Sequence, residues 1–147
     1  MVKKILGTLL ILFIAIQFYR PEKNKDETIP LTDFLTTANA SESIATVIKN
    51  SCYDCHSNNT NYPWYAEIAP VSWWISGHVD HGKEELNFSE WSTFSVKRKN
   101  HKLDEMIELL EKREMPLETY LPLHPEAKLT DIQIKELTTW IKTLYIK

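Results

Sequence analysis

The sequence predicts an all-α fold: a small helical domain behind an N-terminal hydrophobic anchor helix. Three observations carry this. Apolar residues recur at helical spacing within 41–50, 100–113 and 130–144. Helix-start signals, Ser41 or Ser43 and the Thr130/Gln133 capping-box pair, head two of those segments. No segment alternates apolar and polar residues between hairpin turns. Seven prolines against three glycines suit defined helix ends rather than a flexible low-complexity chain, and 147 residues give room for one domain and little more.

The elements follow in order. Lys3 and Lys4 precede the apolar run Ile5–Tyr19, too short for a full bilayer span of roughly 20 residues but fitting for a signal segment. The bulky residues after it (Gln17, Phe18, Tyr19, Arg20) offer no small-residue cleavage site. Residues 1–19 are therefore expected to be an uncleaved signal anchor, with a cleaved signal as the alternative. The lysines before the run put the remaining chain outside the cytoplasm, in the periplasm, on the inner membrane, or exported if the signal is cleaved. Residues 20–40, with the charged run Glu22–Glu27, are expected to be a linker, and 41–147 the domain.

Within that domain, Ile44, Val47 and Ile48 predict a helix running into Cys52. Residues 57–70 read as loop. Val71–Gly82 reads as a helix ending at Gly82, and Asn87–Trp91 as a turn into another short helix. Leu103, Met106, Ile107 and Leu110 form the stripe of a helix over 100–113 that Pro116 prevents from extending. Leu137, Ile141 and Leu144 share a face of the last helix.

Asn50-Ser-Cys-Tyr-Asp-Cys-His-Ser57 holds the only two cysteines, Cys52 and Cys55, with His56 directly after. A redox dithiol would need a lowered thiol pKa and a βαβ setting, which the pattern lacks. A zinc site would need four ligands, for which His78 and His81 are available. The third chemistry is covalent haem: in C-x-x-C-H two thiols add across the two haem vinyl groups and the adjacent histidine lies under the iron. Export with no further cysteine favours this reading. The expected cofactor is one haem c per chain, held by Cys52, Cys55 and His56.

The distal ligand is expected to be Met115, in a Met-Pro loop between a helix and the terminal helix. That order resembles a small class I cytochrome c. His78 is the alternative, while His81 and His101 read as solvent-facing and His124 as part of a turn. Met/His ligation raises the potential relative to two histidines. The dense aromatics Tyr62, Trp64, Tyr65, Trp73, Trp74, Phe88 and Trp91 suit the wall of a haem pocket better than a membrane-interface belt, being far in sequence from the anchor.

Residues from about 45 to 145 resemble the bacterial haem-binding domain family, a group similar to c-type cytochromes. The matching stretches are 50–60, Tyr62–Tyr65, Pro70–Trp74, His78, Gly82, Leu86–Trp91, Glu114–Leu117 and His124–Thr130. The resemblance implies haem binding at Cys52, Cys55 and His56, and partners among cytochromes or di-haem peroxidases.

The expected function is a membrane-anchored, periplasm-facing monohaem cytochrome that passes electrons to redox partner proteins, an electron carrier rather than an enzyme. The alternative is a haem-based sensor, or a peroxidase-associated haem protein with an open distal site. The formal net charge of −3 is too small to predict a partner, and the lack of a basic stripe interleaved with aromatics argues against nucleic acid as one.

Overall fold

A largely apolar run behind Lys3 and Lys4 makes the first element. α1 (Val2–Ile16) is a helix with no buried residue, as a stretch without a polar face must be if no protein covers it. The computed structural model describes residues 1–26 and 28–146, and among these no helix is long and apolar enough to cross a membrane. Glu27, the end of the charged run, and Lys147, the last residue of the expected domain, lie outside the described residues. The expected anchor is present as a helix but a short one: the 15 residues of α1 extend about 22 Å, against roughly 30 Å of hydrocarbon.

Among the described residues six more helices follow: α2 (Phe34–Thr37), α3 (Glu42–Ser51), α4 (Tyr53–His56), α5 (Val71–Glu85), α6 (Val96–Glu111) and α7 (Asp131–Lys142). Short 3-10 helices lie at Trp64–Glu67, Phe88–Thr93, Leu121–Leu123 and Pro125–Ala127, and among the described residues only an isolated Lys25–Asn59 bridge has β character. α4 packs on α5 and α3, α6 on α7, and α2 on the 88–93 turn.

The predicted caps form. Ser41 Oγ accepts from Ile44 N at 3.4 Å, and Thr130 and Gln133 close a reciprocal capping box. α6 starts earlier than its apolar stripe suggests because Ser95 caps it, accepting from Arg98 N at 3.3 Å. It stops before Pro116 is reached: Arg113 turns left-handed (φ 58°), and Glu114 N and Arg113 N bond back to Leu109 O and Leu110 O.

The largest correction concerns residues 20–40. Expected as a linker, this segment supplies part of the core. Asp33 caps α2 through Oδ1, accepting from Leu35 N at 3.0 Å, and Phe34 is 0% exposed. The Phe34 ring stacks on Phe88 at 5.0 Å and meets Trp91 and Trp140 edge-on at 4.7 and 5.5 Å. A four-residue helix carries no periodicity for a sequence pattern to register, and one phenylalanine after a charged run gives no signal of burial.

Phe34→Ala is expected to destabilise the domain by about 3–5 kcal/mol, measured as a shift in urea midpoint with unchanged slope. A linker residue would give no shift.

Candidate functional site

α3 ends at Cys52, whose backbone (φ −131°, ψ −35°) leaves helical geometry, and α4 begins one residue later. The Cys52 carbonyl accepts from Cys55 N at 3.3 Å and from His56 N at 3.0 Å. Cys52, Cys55 and His56 are thereby held on one turn. Both thiols are free and half-buried. Burial, reinforced for Cys52 by Cys55 and for Cys55 by Asp54, pushes them up to about 12 and about 11. A redox dithiol requires the opposite shift. Among the described residues no three His, Cys, Asp or Glu side chains converge on a point where a metal ion could sit, so a zinc site of four protein ligands has no assembled donor set.

His56 is oriented by the end of α5. That helix does not end at Gly82 as expected but runs to Glu85, and Gly82 has no positive φ. Gly82 serves close approach instead: a Cβ there would lie 2.7 Å from Cys55 O and 3.1 Å from Cys55 Cβ. Beyond Glu85 the chain extends, so the Leu86 carbonyl is outside the helical ladder and accepts from His56 Nδ1 at 2.9 Å. A carbonyl only accepts, so the proton is on Nδ1 and Nε2 keeps its lone pair. Burial lowers the His56 pKa, and the imidazole is neutral. Fixing a ligand histidine through its other nitrogen is how proteins set its tautomer and aim. With Nδ1 facing the last turn of α5, Nε2 is directed away from that turn.

The residues between the cysteines hold this turn in place. Tyr53 donates to Asp33 Oδ2 at 2.9 Å and stacks on Phe88 at 5.2 Å. Asp54 accepts from Asn61 N at 3.0 Å and from the Tyr120 hydroxyl at 2.7 Å. Tyr120 stacks on His124 at 3.9 Å, with the rings 7° from parallel. His124 Nδ1 faces Glu126 at 3.2 Å and its Nε2 meets the Tyr65 hydroxyl at 2.6 Å. Burial, then the bond to Asp54, keeps the Tyr120 phenol protonated far above its usual range.

The expected site residues divide accordingly. Cys52, Cys55 and His56 come together. Met115 is half-buried in the turn after α6, and the loop it opens is tied to the motif through Tyr120 and Asp54. His78 lies on α5 with Nδ1 on Trp74 O at 2.9 Å and its ring 4.2 Å from that of Trp74. His101 is exposed and pairs with Glu105 at 3.3 Å, and His81 is exposed on α5.

Sequence reasoning missed Asp54, Tyr120, the Leu86 carbonyl and the packing role of Gly82. Asp54 was hidden as a variable position of the motif, and a backbone carbonyl leaves no mark in a sequence.

The donor set fits haem: two thiols and one neutral, oriented imidazole on a single turn, with the porphyrin rather than the protein supplying the remaining nitrogens. The sequence model of the haem-binding domain family matches residues 11–143, and the chain belongs to that family and binds haem. No curated protein and no solved structure matches the chain significantly.

Gly82→Ala is expected to cost about 1–3 kcal/mol, because Cys55 O is backbone and has no rotamer by which to yield. Gly77→Ala, where the added Cβ meets open space, is expected to gain about 0.5–1 kcal/mol from helix propensity. Thermal melts of the two variants check the contrast.

Proposed function

We propose that this member of the haem-binding domain family carries its haem covalently and works as a monohaem c-type cytochrome that transfers electrons. We also propose that α1 holds it at a membrane, with the domain on the side opposite Lys3 and Lys4, in the periplasm. The observation that carries the reading of the site is the His56 Nδ1–Leu86 O bond at 2.9 Å beside two free cysteines on the same turn.

When bound, the haem supplies an iron that takes up and releases one electron. The protein supplies grip, orientation and dryness. Cys52 and Cys55 would hold the group as thioethers and His56 would ligate through Nε2. Burial keeps the imidazole neutral, while the Leu86 carbonyl aims it and raises its basicity as a ligand. Tyr53, packed on Phe88 and bonded to Asp33, and Asp54, bonded to Tyr120, keep the turn from rotating.

Met115 is our choice for the opposite ligand. Met115 is half-buried, and the loop it opens is tied to the motif through the Tyr120–Asp54 bond, whereas His78 is engaged with Trp74 through Nδ1 and its ring. Cytochromes or a di-haem peroxidase are the partner classes we propose for the electron.

Two outcomes are expected from protein exported with c-haem maturation factors. Haem stays with the chain through acid–acetone extraction and gives a c-type pyridine haemochrome band, while Cys52→Ala or Cys55→Ala weakens retention. Haem that extracts freely from the parent chain overturns covalent attachment. Met115→Ala is expected to turn the ferric optical spectrum toward high spin and lower the potential; an unchanged spectrum and potential remove Met115 as ligand.

A further inference from the structure

The sequence treats α1 and the aromatic-rich stretch after residue 60 as unrelated, separated by about a third of the chain. The structure joins them. At the end of α1 the Gln17 side-chain amide bonds the backbone of Ala69 twice, donating to its carbonyl at 3.0 Å and accepting from its N–H at 2.9 Å. Two residues on, Tyr19 O accepts from Trp73 Nε1 at 2.9 Å, and the two rings meet edge-on at 5.7 Å. Arg20 and Lys23 both pair with Glu67. Three successive attachments over seven residues make a stiff joint, not a swivel.

Around that joint the surface is apolar and aromatic. Within about one turn of the clamped residues, Trp64 is 76% exposed, Trp74 51%, Val71 39% and Ile68 37%. Phe18, next to Gln17, is exposed as well. Solitary exposed apolar residues are ordinary, but a group gathered at the foot of a wholly exposed apolar helix shares that helix's solvent. α1 is also short: its length of about 22 Å leaves several ångströms of a roughly 30 Å hydrocarbon layer unfilled. A short insert thins the bilayer or draws its flanks inward, and here the flank is rigidly attached to the domain. Tryptophan and tyrosine, apolar bodies with one polar tip, favour the headgroup boundary.

We infer that the Trp64–Trp74 face is a lipid-interface surface, seated in the headgroup region of the membrane that α1 enters, so that the domain is docked on the bilayer and not suspended above it. This rests on the proposed membrane attachment through α1 and gives it an orientation. α5 starts at this face and reaches Cys55 at Gly82, eleven residues on, so the motif lies no more than about 16 Å along the helix from the boundary.

The test uses the full haem-loaded chain in vesicles of equal parts phosphatidylcholine and phosphatidylglycerol. An environment-sensitive fluorophore is attached at Trp64→Cys, at Trp74→Cys, or at Glu136→Cys on the exposed side of α7. The parent chain, with only Cys52 and Cys55, serves as the blank. Native helical circular dichroism and haem absorption certify each variant.

The expected result is blue-shifted emission at 64 and 74, several-fold stronger quenching there than at 136 by lipids carrying a headgroup-region nitroxide, and loss of much of both on adding Gln17→Ala, with flotation unchanged. Water-like emission at 64 and 74 in chain that floats with the vesicles overturns the interface surface and leaves the α1 attachment standing. Chain that does not float overturns the attachment and this inference with it. A concentration-dependent blue shift without vesicles overturns the lipid assignment in favour of self-association through the same face.

Discussion

The hydrogen bond from His56 Nδ1 to the Leu86 carbonyl is the constraint on which the site depends. It exists only because α5 runs past Gly82 and stops at Glu85, releasing Leu86 into extended backbone. It forms only because α5 comes close enough to α4, and the missing side chain at Gly82 is what permits that approach. One glycine and one helix terminus thus fix the tautomer and direction of the imidazole. Burial sets the charge: a neutral ring costs less to desolvate than a charged one, and this outweighs the carbonyl bond, which favours protonation.

Core and site share atoms. Phe88 stacks on Phe34 on one side and on Tyr53 on the other, and His56 meets its edge at 6.1 Å. The segment expected as a linker closes over the same region. Asn24 donates to Ser57 O at 2.7 Å and to Thr60 Oγ1 at 2.9 Å, and accepts from Lys83 Nζ at 2.6 Å. It therefore ties the loop after the motif to α5. A domain of this size has few buried side chains to hold a large cofactor, and recruiting 20–40 enlarges both its core and the scaffold around α4.

The second support is polar. Asp54 is bonded by Tyr120, which stacks on His124, whose ring nitrogens face Tyr65 and Glu126. Each partner is satisfied by its neighbour, which is the condition under which a half-buried polar cluster rigidifies rather than destabilises. The cluster joins α4 to the 3-10 helix at Trp64–Glu67 and to the loop that opens with Met115.

The sequence alone determined what local rules reach. Helical periodicity placed α3, α6 and α7, and side-chain caps at Ser41 and Thr130 set two starts, because both signals act within one or two turns of chain. The spacing of Cys52, Cys55 and His56 marked the candidate haem turn, since covalent attachment would demand that separation. Tertiary structure decided the rest. Phe34 became core only when Phe88 and Trp91 arrived beside it. Gly82 read as a helix end because glycine usually marks one, and the neighbour that requires its missing Cβ lies 27 residues away. The direction of Nε2, the bond of Tyr120 to Asp54 and the joining of α1 to Ala69 and Trp73 all link distant parts of the chain. Such contacts depend on how helices pack, and one-dimensional patterns do not record packing.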